Sequence, residues 1–145
     1  MAISVKKTAL WRKELENQPG TLASALQPLA ETAADLQLVM LYRFPGTHRG
    51  AIEMHPISGK KATKIARAAG LSPSSIPVLL VEGDNRAGLG YAVAKAVADS
   101  GINVSFLMAQ VVGRRYAAVF GFQNDADATK AAALIKRAAA PRGRS

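Results

Sequence analysis

The residues of this chain able to do acid–base or metal chemistry are few and scattered. His48 and His55 are its two histidines, and their spacing of seven puts them on opposite faces of a continuous strand, so no shared metal is expected. Glu53 and His55, two apart, share a face and could form a hydrogen-bonded pair, whose expected role is structural. Ten carboxylates without a repeating spacing offer no metal cluster, and zero Cys removes thiol nucleophiles, disulfides and cysteine-bound zinc. GxxxxGK[ST], HExxH and GxSxG are all missing; Gly83, Gly88 and Gly90 follow a strand pattern but do not make GxGxxG. The expectation is a protein without catalysis, metal or cofactor.

Composition agrees with a small folded protein. The 145 residues are 49% apolar, enough for a core without staples. No apolar run approaches a membrane span, and no apolar stretch follows Lys6-Lys7, so neither a membrane role nor a secretory signal is expected. With zero Cys, a reducing cytoplasm is the expected compartment. A formal charge of +9 with a pI near 10.3 raises nucleic acid as a partner. The charge is shared between the halves: residues 1–72 hold 10 basic and 5 acidic residues, and residues 73–145 hold 9 and 5. Its clusters, including Lys60-Lys61-Lys64-Arg67 and Arg114-Arg115, read as solvated faces.

The elements follow from periodicity, and they repeat at an offset of 68 residues. In the first half, Thr8–Glu16 reads as a strand, Gly20–Thr32 as a helix with Leu22, Ala25, Leu26 and Leu29 inward, and Leu36–Phe44 and Arg49–Ile57 as strands. Gly59–Ala69 is a second helix. Pro28 sits inside the first helix, where it should kink it. In the second half, Ile76–Glu82 is a strand and Gly88–Asp99 a helix. Ile102–Val112 and Tyr116–Gln123 make a hairpin, and Asp125–Ala139 is an Ala-rich helix. Residues 141–145 read as a loose basic tail.

Strand, helix, strand, strand, helix, twice over, predicts an α+β fold. It has two ferredoxin-like βαββαβ modules, at 1–72 and 73–145, each an antiparallel sheet with helices on one face. The fourth strands are weak: only Leu71–Ser75 is available in the first half and nothing obvious in the second, so each sheet is expected to borrow a strand, from Ile3–Val5 or from a partner chain.

The turn from first strand to first helix has the same chemistry in both halves: Glu16-Asn17-Gln18-Pro19-Gly20-Thr21-Leu22 and Asp84-Asn85-Arg86-Ala87-Gly88-Leu89. With the Gly101-Ile102-Asn103-Val104 run, these loops resemble the ACT domain over roughly residues 8 to 138, as two tandem modules. The resemblance implies a regulatory module that binds an amino acid or similar small molecule, self-associates as a dimer, and acts on a regulated protein. It places the ligand where one module's loop meets the start of another's second strand. Glycine allows close backbone approach, helix-opening N–H groups suit a carboxylate, and Asn or Asp oxygen accepts from an amino group. By position, the implied contacts are Asn17, Gln18, Gly20, Thr21, Leu22 and Asp35 in the first module. In the second they are Asn85, Arg86, Gly88, Leu89 and Asn103. Ala87 stands where the family has Pro.

Two other readings stay open. One is a nucleic-acid-binding adaptor: Arg114-Arg115-Tyr116-Ala117-Ala118-Val119-Phe120-Gly121 partly fits the base-stacking strand of RNA-binding modules. Tyr116, Phe120 and Phe122, on one face by period two, are expected as core or interface residues instead, and nucleic acid is not the expected partner. The other is a purely structural dimerisation module.

Overall fold

The computed structural model describes residues 3–140; the basic tail read at 141–145 lies outside them. Two compact units divide the chain. An inserted module comprises Leu10–Ser75, and a split module takes the residues before and after it.

The inserted module contains β2 (Trp11–Glu16), α1 (Thr21–Ala30), β3 (Leu38–Arg43), β4 (Arg49–His55), α2 (Lys60–Ala68) and the two-residue β5 (Ser72–Pro73). Its antiparallel sheet has the order β3-β4-β2-β5. The split module contains β1 (Ser4–Thr8), β6 (Val78–Asp84), α3 (Leu89–Asp99), β7 (Val104–Val112), β8 (Arg115–Phe122) and α4 (Asp125–Ala139). Its sheet has the order β1-β6-β8-β7, again antiparallel. With β1 counted as a fourth strand, the two sheets have one topology, two βαββαβ-like modules in all.

The stretch expected as one strand, Thr8–Glu16, is therefore two strands of different sheets. Thr8 pairs with Val78 and Trp11 with Met54. The physical reason is a break in alternation: Leu10 and Trp11 are adjacent and both buried, which a single period-two strand facing one core does not do. The sequence border after residue 72 consequently differs from the division of the sheets, since Ser4–Thr8 pair with β6. Of the two sheets that Ile3–Val5 could complete, it completes that of the split module, where Ser4 and Val5 pair with Glu82 and Val81. The weak strand read at Leu71–Ser75 is β5, paired with Trp11 and Arg12.

Each module has its own core. In the split module, Leu79, Phe120 and Phe122 from the sheet meet Leu89, Val93 and Val97 of α3 and Ala128, Ala131 and Ile135 of α4. In the inserted module, Trp11, Ile52 and Met54 meet Leu29 of α1 and Ala62 and Ala66 of α2. Burying one such Leu, Ile or Phe contributes about 1.5–3 kcal/mol, and the alanines let the helices sit close. Tyr116, Phe120 and Phe122 are 4%, 1% and 1% exposed, so they are core side chains and unavailable for base stacking. α1 runs on through Pro28. No helix among the described residues is long and apolar enough to cross a membrane.

Candidate functional site

The two strand-to-helix loops have the same backbone geometry. The Asn17 N–H donates to the His48 carbonyl at 2.7 Å, and the Asn85 N–H to the Arg114 carbonyl at 2.8 Å. Thr21 N–H reaches the Gln18 carbonyl at 3.2 Å; Leu89 N–H reaches that of Arg86 at 3.1 Å. Gly20 and Gly88 cap α1 and α3 in the left-handed region, with φ of 88° and 81°. A side chain there would be strained, which is the reason for glycine. Neither helix receives a side-chain cap. By contrast, Asn124 Oδ1 accepts from Asp127 N–H at 2.8 Å and closes the start of α4. The first-turn N–H groups of α1 and α3 are thus free of side-chain acceptors.

In the split module the loop forms one wall of a cleft of about 410 Å³. Asn85, Arg86, Gly88 and Leu89 line it together, opposite Ala109, Gln110 and Val111 of β7 and Tyr116 of β8. Sequence reasoning missed this far wall. It follows from strand pairing, which sets Val111 against Tyr116 in the β7–β8 hairpin and Gly83 against Tyr116 across β6 and β8. Burial pushes the Tyr116 hydroxyl above its ordinary pKa. Arg86 turns away to the helix end, its Nη2 donating to the Ala138 carbonyl at 3.1 Å.

Asn103 is not part of this cleft. It precedes Val104, which pairs with Phe122, whereas the loop follows Asp84, which pairs with Arg115 at the other end of β8. A strand of this length separates the two by about 20 Å. The inserted module repeats the arrangement. Asn17, Gln18, Gly20, Thr21 and Leu22 sit beside the start of β4, while Asp35 sits beyond its far end, where Gln37 N–H donates to the His55 carbonyl at 2.9 Å. Asp35 instead lines a second cleft, about 510 Å³, with Thr32, Gln37, Ser58, Lys60 and Lys61.

The other polar cluster lies on the inserted sheet. Glu53 is 1% exposed and accepts from the Tyr42 hydroxyl at 2.7 Å through Oε2. His48 is in the turn before β4, so the two histidines do not share a strand. Among the described residues no group of three or more His, Cys, Asp or Glu is placed to hold a metal.

No family model matches this sequence, and no curated protein does. Solved structures do match in fold. A Bacteroides thetaiotaomicron protein superposes with a TM-score of 0.69 at 16% identity, over 89% of this chain and 87% of that one. The ligand-free regulatory subunit of aspartate kinase from Thermus thermophilus gives 0.61 at 16% identity, over 95% of this chain and 97% of that one. Aspartate kinase from Clostridium acetobutylicum gives 0.59 at 14% identity, over 94% of this chain and 34% of that one. The class is a tandem ferredoxin-like α+β protein. Within it, the chain has the tandem ACT-type fold of the aspartate kinase regulatory subunits.

Proposed function

We propose that the chain is a non-catalytic regulatory module that binds an amino acid and reports it by changing its association or a partner's activity. The observation that carries this reading is the 410 Å³ cleft, in which Asn85, Gly88 and the uncapped start of α3 meet β7. The N–H groups there suit a carboxylate, and Asn85 an amino group. Asn17, Gln18, Gly20, Thr21 and Leu22 offer the same backbone in the inserted module. Leu89 and Arg86 shape the cleft wall. Asn103 and Asp35 lie at the far ends of their own sheets, so each joins a site only with a loop from another module or another copy of the chain.

Self-association belongs to the same proposal. β7 and β3 are sheet edges in their own modules, and they carry Leu107 at 49%, Val111 at 49%, Val39 at 40% and Leu41 at 38% exposure. Open apolar edges favour pairing with another chain. The fold neighbours support regulation: one is a regulatory subunit of aspartate kinase, and another an aspartate kinase described as an allosteric enzyme.

The experiment is a thermal melt against each of the twenty amino acids at millimolar concentration. A ligand at 100 times its Kd adds about 2.7 kcal/mol, and each kcal/mol moves a protein of this size by roughly 2–4 °C or slightly more. One amino acid, or a small related set, is expected to raise the midpoint by about 5–10 °C, and Asn85→Ala to cancel the shift. A flat response to all twenty rejects the reading. Light scattering with and without the active ligand then reads the change in association.

A further inference from the structure

Four cations stand on α2 without an acid to neutralise them. Lys60, Lys61, Lys64 and Arg67 are all exposed, and the helix (KKATKIARA) contains no carboxylate. Among the described residues, the ion pairs are Lys7–Asp125, Arg12–Glu14, Arg49–Glu16, Lys95–Asp99 and Arg115–Asp84, so none of the four takes part in one. Lys60, Lys64 and Arg67 follow i, i+4, i+7 spacing and make one stripe, about 10 Å long. Arg67 lies 5.2 Å from the centroid of the Trp11 ring, and Lys13 donates to the Ala69 carbonyl at 2.9 Å, adding a fifth cation at the helix end. Asp35 is the one carboxylate lining the adjoining cleft with Lys60 and Lys61. Like charges at these spacings destabilise a helix, and none of the four is in an ion pair that would offset it.

We propose that this α2 face binds the phosphate backbone of nucleic acid, independently of sequence. The chemistry of the face selects among polyanions. A membrane-bound helix needs a free apolar face, but Ala62 and Ala66 of α2 are buried in the core and Ile65 is half-buried. A protein interface is held by aromatic and apolar anchors and is poor in lysine at its centre, whereas the exposed side of α2 offers lysines and one arginine. Phosphate contacts need only such cations, placed together and not paired with carboxylates. Tyr116, Phe120 and Phe122 take no part, because they are buried in the core of the split module.

The test uses the full chain and a fluorescein-labelled 20-base-pair duplex of random sequence, with anisotropy read from 50 to 200 mM NaCl. Four phosphate contacts give a slope of log K against log salt of about −3.6, or roughly a 100-fold weakening over that range. Lys60→Gln/Lys61→Gln/Lys64→Gln is expected to reduce the slope to about −1. Lys6→Gln/Lys130→Gln/Lys136→Gln removes the same charge from exposed positions of β1 and α4 and is expected to keep the parent slope. Absence of binding at 50 mM overturns the proposal. So does an equal loss in both triple variants, which would make the effect one of total charge. Flotation with anionic phospholipid vesicles but no binding to the duplex overturns it as well. Should the α2 variant not fold by circular dichroism, Lys64→Glu alone decides: weakened binding supports the face, and parental affinity rejects it.

Discussion

The Tyr42 hydroxyl donates to Oε2 of Glu53 at 2.7 Å, across the pair of neighbouring strands β3 and β4. Glu53 is 1% exposed, and its other oxygen has no partner among the described residues. Tyr42 is therefore the donor that makes this buried carboxylate tolerable. Tyr42→Phe keeps the ring, which lies 6.0 Å from that of Phe44, and removes only the donor. Leaving a buried acceptor unsatisfied costs about 1–3 kcal/mol. Urea unfolding should show that loss, and Tyr42→Phe/Glu53→Leu should recover part of it. If Tyr42→Phe matches the parent, the hydrogen bond carries no net stability.

The same pair sets an alkaline limit. Burial first, and then the bond to Glu53, raise the Tyr42 pKa above its ordinary value; burial alone raises that of Tyr116. A raised pKa means that the folded protein holds the phenolic proton more tightly than the unfolded chain does. The associated stability is fully present below the unfolded pKa of about 10 and is lost as pH rises through the folded value. Unfolding free energy measured from pH 8 to 11 should fall in its upper part, and Tyr42→Phe should flatten the fall. An unchanged alkaline slope in that variant would assign the loss to other groups.

Much of this fold was legible in the chain. Period-two and period-3.6 patterns located the helices and the hairpin, because each element faces a single core and its apolar residues recur at the element's own period. α4 runs Asp125–Ala139 as read. The strand crossing at Leu10 was not legible as such, because two adjacent buried residues in a short apolar stretch look like one strand until the pairing partners are known. Ser105 was equally hidden: Val104 pairs with Phe122 and Phe106 with Gly121, so the extra residue forms a bulge that only the register reveals. At the site, the loops declared themselves through Asn17-Gly20 and Asn85-Gly88. Gln110 and Tyr116 did not, because their place in the cleft depends on strand order. That Asn103 and Asp35 stand at the far ends of their own sheets also needed the pairing.

Gly121 and Phe106 form a close cross-strand pair. A Cβ built on Gly121 would fall well inside contact distance of the Phe106 ring. Gly121→Ala should cost about 1–3 kcal/mol by overpacking, and Phe106→Leu in the same chain should return part of it. Gly50→Ala should be worse, because its Cβ would meet the Tyr42 carbonyl of the backbone, which has no rotamer to move into. Chemical denaturation of the three variants ranks them, and a Gly50→Ala protein as stable as the parent would contradict the close approach.

Arg86 separates stability from binding at the candidate site. Its guanidinium donates to the Ala138 carbonyl at the end of α4, where a cation also complements the helix dipole. Arg86→Met keeps most of the stem and loses the charged hydrogen bond, worth about 1.5–3 kcal/mol when formed to a charged group and less where water reaches it. A fall in melting temperature of a few degrees is expected. The ligand-induced shift should survive, because the carboxylate and amino contacts assigned to this cleft rest on the α3 N–H groups and Asn85. If Arg86→Met instead abolishes the shift at unchanged stability, the arginine holds the ligand directly and Ala138 is its resting partner.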